Sequence, residues 1–150
     1  MSMTRSSLYG KEILFIENHS TALSVEQLKK LIDTKLVLPE HFSTAYVDYN
    51  CSKGIYLGPG YQKDSRFYPL RFVADKKSGD TTDEIWVSSV TAGYGGEGPH
   101  GTLKCLEMMD FHLSEEEIDT LFSLKDAHLV YIKWVKRRPS EKARSSFIKH

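Results

Sequence analysis

Apolar side chains fall along the chain in short runs that predict a sheet of several strands. The run Ile13-Leu14-Phe15-Ile16, within residues 8–17, predicts a buried first strand that ends at the turn formers of residues 18–21. Further β-like patterns lie at residues 46–50, 54–57, 67–73, 84–90 and 128–136. The last run is the most β-like, because Val130, Ile132 and Trp134 share one face.

Apolar residues at helical spacing predict a first helix after this strand. The repeating positions are Leu28, Leu31, Ile32 and Leu36. Ser24 and Gln27 have the spacing of a capping box, and Leu23 can pack on Leu28, so the helix is predicted to begin at Ser24. It should end before Pro39, because the residue before a proline disfavours helical backbone.

The same start signal recurs near residue 114 and predicts another helix. Ser114 and Glu117 form a second capping-box pattern, flanked by Leu113 and Ile118. A shorter helix is predicted over residues 102–110, where Leu103, Leu106 and Met109 share one face.

The order of these elements predicts an α+β fold. A polar, turn-rich connection at residues 76–83 makes residues 71–74 and 84–90 natural hairpin partners. We therefore expect a mostly antiparallel sheet with two or three short helices packed mainly on one face. Residues 1–138 are expected to form a single domain, and residues 139–150 a basic, flexible tail.

Composition narrows the function classes. The chain has 150 residues, and its 20 basic and 20 acidic residues cancel, so it lacks the global basic field of a dedicated nucleic-acid binder. Its two cysteines form no CxxC pair, which indicates neither a zinc site nor a disulfide framework. The first apolar run is too short for a signal peptide or a membrane span. We expect a cytoplasmic protein with no membrane association, and nucleic acid is not an expected partner.

A glycine cluster is the main candidate for function. Five of the ten glycines, between Gly93 and Gly101, lie between a predicted strand and a predicted helix. Such a cluster is kept where the chain needs positive φ or where something approaches its amides closely. The free N–H groups and positive dipole end of the following helix suit a phosphate or carboxylate, and Pro99 is tolerated near a helix start.

The cluster only partly fits a known nucleotide motif. Residues 96–101 match G-x-G-x-x-G, but Pro99 and His100 crowd the approach, and no acidic residue ends a second strand at the expected distance. The ending Gly-Lys-Ser/Thr of a phosphate-binding loop is also missing. A ligand-binding loop and a purely structural glycine-rich turn or lid therefore remain equal alternatives.

The candidate ligand-binding residues surround this cluster. They are Tyr94, Gly95, Gly96, Gly98, His100, Gly101, Thr102 and Tyr61. The tyrosines offer rings for stacking, although any single tyrosine more often serves packing. The chain has no identifiable nucleophile or orienting carboxylate beside His100, so no catalytic residue is assigned.

No metal or cofactor is expected. Six histidines are scattered along the chain, and Glu107, Asp110 and His112 match no compact zinc motif. The C-terminal end is locally basic, which fits a solubilising tail better than contact with nucleic acid or an acidic partner. Its basic residues are Lys133, Lys136, Arg137, Arg138, Lys142, Arg144 and Lys149.

These features favour non-catalytic binding of a small phosphorylated ligand, by sensing or sequestration, with a nucleotide or nucleotide-derived signal ranked first. Two alternatives stay open. One is a protein-interaction module, such as an inhibitor or immunity-type protein, and the other is a small enzyme that uses His100 as acid or base on a phosphorylated substrate. A protein partner and a homo-oligomer remain open as well.

Overall fold

The computed structural model describes residues 2–8, 10–48, 68–74, 82–92, 95–123, 131–136 and 144–146. These residues form seven strands: β1 (Ser2–Leu8), β2 (Lys11–Glu17), β3 (Phe42–Asp48), β4 (Leu70–Ala74), β5 (Glu84–Val87), β6 (Tyr131–Val135) and β7 (Arg144–Ser146). They also form three α-helices: α1 (Thr21–Asp33), α2 (Glu97–Met108) and α3 (Glu115–Leu121). A single 3₁₀ turn, Pro39–His41, precedes β3.

The strands make one sheet in the order β1-β2-β5-β4-β3-β6-β7. Five neighbouring pairs are antiparallel, and β2 pairs with β5 in parallel. The predicted α+β class and mostly antiparallel sheet are confirmed. The predicted pairing of residues 71–74 with the strand after Asp83 is confirmed too, with Arg71 opposite Trp86.

The main core lies between the helices and one face of the sheet. Alternation along β2 sends Leu14 and Ile16 to this face, and Trp134 joins them from β6. Leu28 of α1 and Leu106 of α2 pack on the same cluster, and both are fully buried. The helices therefore cover mainly one face, as predicted.

The other sheet face carries a smaller apolar and aromatic cluster. Ile13 and Phe15 point to it from β2 and meet Trp86 and Tyr68. The Phe15 ring lies 5.2 Å from that of Tyr68 and 5.4 Å from that of Trp86. The Tyr68 hydroxyl donates to Glu17 Oε1 at 3.0 Å. Partial burial, together with this bond to Glu17 and its charge, raises the Tyr68 pKa to about 12.

The N-terminal segment differs from the prediction of one strand over residues 8–17. Two strands meet there as a hairpin, β1 with β2, and Gly10 in the connection adopts φ 73°. A left-handed residue of this kind is needed in a tight hairpin turn, and glycine provides it without a Cβ clash. Ser- and Thr-rich β1 lacks an apolar stripe, which is why its sequence did not signal a strand.

The start of α1 also differs from the prediction. Ser20, not Ser24, is the N-cap, and its hydroxyl accepts the amide of Leu23 at 3.2 Å. Ser24 is instead buried in the first turn, with its hydroxyl 3.4 Å from that of Ser88. The capping box predicted for α3 is confirmed, since Ser114 and Glu117 bond each other's backbone amides.

Two described pieces of the basic C-terminal end, residues 131–136 and 144–146, belong to the folded sheet region. Arg144–Ser146, within the segment assigned to a flexible tail, pairs with β6. Lys136 is 2% exposed, and its Nζ donates to the carbonyls of Pro39 and Met109. Burial lowers the Lys136 pKa to about 8, although the charges of Asp110 and Glu40 oppose the shift. The strand predicted over residues 54–57 lies outside the described residues.

Candidate functional site

Two helices begin at the same edge of the sheet. Because β2 and β5 are parallel neighbours, their carboxyl ends lie side by side. β2 leads into α1 and β5 leads into α2, and these two helices pack against each other on the core face. The arrangement brings two helix N-termini, with the positive ends of their dipoles, to the same end of these two strands.

A polar network joins the two strand ends. The Asn18 backbone N–H donates to Ser88 Oγ at 2.8 Å, and Asn18 Nδ2 donates to Gln27 Oε1 at 3.0 Å. Ser89 Oγ in turn donates to the Asn18 carbonyl at 2.8 Å. These bonds fix the loop after β2 against the loop after β5, so the edge has a defined shape.

Ser89 adopts a left-handed backbone with φ 63°. For a residue other than glycine, this conformation costs about 1 kcal/mol or more and persists where neighbours enforce it. Thr21 helps to enforce it, because its hydroxyl donates to the Ser89 carbonyl at 2.5 Å. The first residue of α1 is thereby tied to the connection that leads into α2.

The helix predicted to begin at Thr102 begins five residues earlier, at Glu97. Gly98 and Gly101 therefore lie inside α2 and not in a loop. Pro99 is accommodated because the first helical turn has no intrahelical acceptor for its missing N–H. Sequence propensity disfavours glycine and proline in helices, and this misplaced the boundary.

Among the residues that the structure describes, no side chain caps the N-terminus of α2. Gly96 is the N-cap residue and has extended backbone, with φ 176° and ψ −169°. Helical bonding starts with His100 N–H donating to the Gly96 carbonyl at 3.3 Å. The amides of Glu97 and Gly98 come before that bond, so neither has an intrahelical acceptor.

Gly101 and Thr102, both proposed as ligand contacts, have packing roles. A Cβ built at Gly101 would overlap Thr21 Cγ2 and would lie 3.2 Å from Val25 Cγ2. Gly101 therefore lets α1 and α2 approach closely. The buried Thr102 hydroxyl donates to the Thr91 carbonyl at 2.6 Å, which ties α2 to the segment before it.

The other candidate residues are divided between open and packed positions. Gly95 is exposed, and a Cβ built there meets nothing within 4 Å. Gly98 is buried, whereas His100 is exposed with its ring 4.6 Å from that of Phe122 at the end of α3. Tyr94 and Tyr61 lie outside the described residues. Gly95 and Gly96 thus directly precede the first turn of α2, and His100 lies one turn further along the helix.

The described residues offer little catalytic machinery. Burial raises the Cys105 pKa to about 12, which keeps its thiol protonated near neutral pH. Over the described stretches, no three His, Cys, Asp or Glu side chains come together in a group that could hold a metal ion. The site is therefore built from backbone donors and hydroxyl groups.

A buried ionic cluster that the sequence patterns did not predict lies on the second sheet face. Glu84 has no exposed surface and accepts from Lys11 Nζ at 3.1 Å and from Trp86 Nε1 at 3.0 Å. Arg71 Nε lies 3.5 Å from Glu84 Oε1, and the guanidinium stacks 4.6 Å above the centre of the Tyr46 ring. The sequence signal for this cluster was a pair of opposite charges, Arg71 and Glu84, one in each strand of the predicted hairpin.

A scan of protein-family models, a search of curated proteins and a search of solved structures each find no match to this chain. Among the helices of the described stretches, none combines the length and apolarity needed to cross a bilayer.

Proposed function

We propose that this protein binds a small phosphorylated ligand without transforming it, at the N-terminus of α2. The observation that carries the proposal is the uncapped start of this helix beside the start of α1. A nucleotide or nucleotide-derived signal is the first ligand class to test, because its phosphate suits the helix end and its base can stack on an aromatic ring.

The helix start offers three features that suit an anion. The amides of Glu97 and Gly98 can donate to phosphate oxygens, and the positive end of the helix dipole favours negative charge there. Glycine at the N-cap supplies no competing side-chain acceptor. The space beside Gly95 is open, so a ligand has access from solvent.

Binding is favoured over catalysis by the state of the reactive groups. His100 packs on Phe122 and makes no hydrogen bond to a carboxylate in the described residues. Cys105 is buried in the core and is therefore protonated. A general base needs an orienting partner and a nucleophile within reach, and neither adjoins His100 in the described part of the chain.

The first test is ligand capture. The protein is incubated with a small-molecule extract containing cyclic, linear and ADP-ribose-type nucleotides, washed and denatured, and the released molecules are identified by mass spectrometry. We expect one phosphorylated compound to be retained unchanged. A chemically altered product would favour the enzyme alternative, and retention of nothing would contradict the proposal.

The second test fills the helix start. Gly96→Asp places a carboxylate where the phosphate is proposed, so binding should be lost while the change of N-cap residue from glycine stabilises the fold by roughly a few tenths of a kcal/mol. Gly96→Asn is the matched control, since it caps without a charge and should weaken binding less. If folded Gly96→Asp binds the captured ligand as tightly as the parent, the proposed site is wrong.

A further inference from the structure

A cavity lies at the C-terminal end of α1, opposite to the end that adjoins the start of α2. Its volume is about 240 Å³. The floor contains buried Val37, Phe42 and Thr82, and the exposed rim carries Arg5, Lys35, Leu36 and His41. Since α1 has 13 residues, the cavity is about 20 Å from the start of that helix. It is therefore separate from the edge where α2 begins.

The rim gathers basic side chains from three different elements. Arg5 comes from β1, Lys35 follows α1, and His41 ends the 3₁₀ turn. Within the described parts of the chain, none of these three side chains forms a salt bridge with a carboxylate. Two cationic side chains and a histidine at one opening, above a floor that includes Val37 and Phe42, match an anion that carries an apolar group.

Lys35 occupies a position where glycine is usual. The Lys35 amide donates to the Ile32 carbonyl at 3.0 Å, and the Leu36 amide donates to the Leu31 carbonyl at 2.9 Å. These bonds form a Schellman motif, whose left-handed residue is usually glycine. Lys35 adopts φ 61°, a strained conformation for a lysine. A glycine would end the helix with less strain but would remove a charge from the cavity rim.

We propose that this cavity, bounded by Arg5, Lys35, Leu36 and His41, binds a small molecule with a phosphate or carboxylate group next to an apolar group. The charged group contacts the basic rim, and the apolar group contacts Val37 and Phe42. This site goes beyond the proposed function and does not depend on it.

Phenyl phosphate is the probe for this site, with inorganic phosphate, phenol and benzoate as partial probes. Each is titrated into ¹⁵N-labelled full-length protein, and amide shifts are followed. Phenyl phosphate should produce saturable shifts at residues 35–42 and bind more tightly than inorganic phosphate or phenol. Benzoate distinguishes carboxylate from phosphate recognition. Absence of saturable shifts at residues 35–42 with both phenyl phosphate and benzoate would overturn the proposal.

Matched variants separate the site from general charge effects. Lys35→Gln and Arg5→Gln should each weaken phenyl phosphate binding by about tenfold, the loss expected for one charge-assisted hydrogen bond. Lys104→Gln removes the same charge from an exposed position on α2 and should leave the affinity unchanged. An equal loss in Lys104→Gln would show attraction by overall charge and refute the site.

Two further variants distinguish loss of this site from unfolding and from loss of the site at the start of α2. Lys35→Gly should melt at or above the parent temperature yet bind more weakly, so its loss of binding cannot come from unfolding. A Lys35→Gly protein with the parent's affinity would refute the role of this side chain. Gly96→Asp should leave the shifts at residues 35–42 intact, so failure at the start of α2 and failure here are distinguishable.

Discussion

Gly101→Ala tests whether the contact between α1 and α2 is the reason for a glycine at this position. The new methyl group would overlap Thr21 Cγ2 and lie 3.3 Å from Val90 Cγ1. Thr21 cannot rotate away without cost, because its hydroxyl holds the Ser89 carbonyl at 2.5 Å. The substitution must therefore break that bond or push the two helices apart.

The expected magnitude follows from opposing contributions. Alanine gains about 1 kcal/mol of helix propensity over glycine. Overpacking a filled contact costs about 1–3 kcal/mol, and a broken hydrogen bond adds about 1 kcal/mol. The net loss should be about 1–3 kcal/mol, which corresponds to a fall in melting temperature of roughly 2–12 °C for a chain of this length.

Urea unfolding and thermal melts would measure this loss, with Gly95→Ala as the matched control. Gly95 has no atom within 4 Å of a built Cβ, so its replacement should be neutral or slightly stabilising. Thr21→Ser keeps the hydroxyl and removes the obstructing methyl, and it should rescue Gly101→Ala with a coupling energy of about 1–2 kcal/mol. A Gly101→Ala protein as stable as Gly95→Ala, or a double variant that is not rescued, would refute the reasoning.

Two other perturbations test the second sheet face. Glu84→Gln removes the negative charge that Arg71 and Lys11 share, and it should lower the free energy of unfolding in urea by about 3–5 kcal/mol. Lys29→Gln, which breaks an exposed pair with Asp33, should change that free energy by less than about 1 kcal/mol. If Glu84→Gln loses no more stability than Lys29→Gln, the buried ion pair does not stabilise the fold. The raised Tyr68 pKa means that the folded state holds this proton more tightly than the unfolded state, so its contribution to stability is complete below pH 10 and is lost as the pH rises toward 12. Tyr68→Phe should flatten this part of the pH–stability curve, and an unchanged curve would show that Tyr68 titrates normally.

Local patterns predicted much of the fold. The Ser114 and Glu117 pair marked the start of α3 because a capping box is a contact between near neighbours. The hairpin of β4 with β5 followed from turn residues between two apolar runs. Helical spacing also placed Leu106 and Met109 correctly on the buried face of α2.

Several of the errors share one physical cause, which is that contacts between residues distant in sequence decided the outcome. Position 101 holds a glycine within α2 because Thr21 occupies the space that a Cβ would need, although the two residues are remote in sequence. Ser24 faces Ser88 rather than capping a helix, and Lys136 reaches the carbonyls of Pro39 and Met109 instead of solvent. Short-range periodicity carries no information about such contacts.

The candidate sites depended on the same long-range contacts. The glycine cluster was visible in the sequence, but the pairing of β2 with β5, which brings two helix starts together, was not. The cavity rim was also hidden, because Arg5, Lys35 and His41 come from separate elements. Lys35 did not predict the left-handed end of α1, since the residue that usually marks such a helix end is glycine.

The parallel pair has a consequence for how the chain is made. β2 is translated well before β5, the strand it pairs with in parallel, and the Glu12 backbone N–H donates to Asp83 Oδ2 across a separation of 71 residues. Closing so long a segment is slow because of its entropic cost. The hairpin of β1 and β2 therefore leaves the ribosome with the other edge of apolar β2 still unpaired. Until β5 (Glu84–Val87) emerges, this edge of β2 can pair with other nascent chains, and chaperone binding during synthesis would protect it.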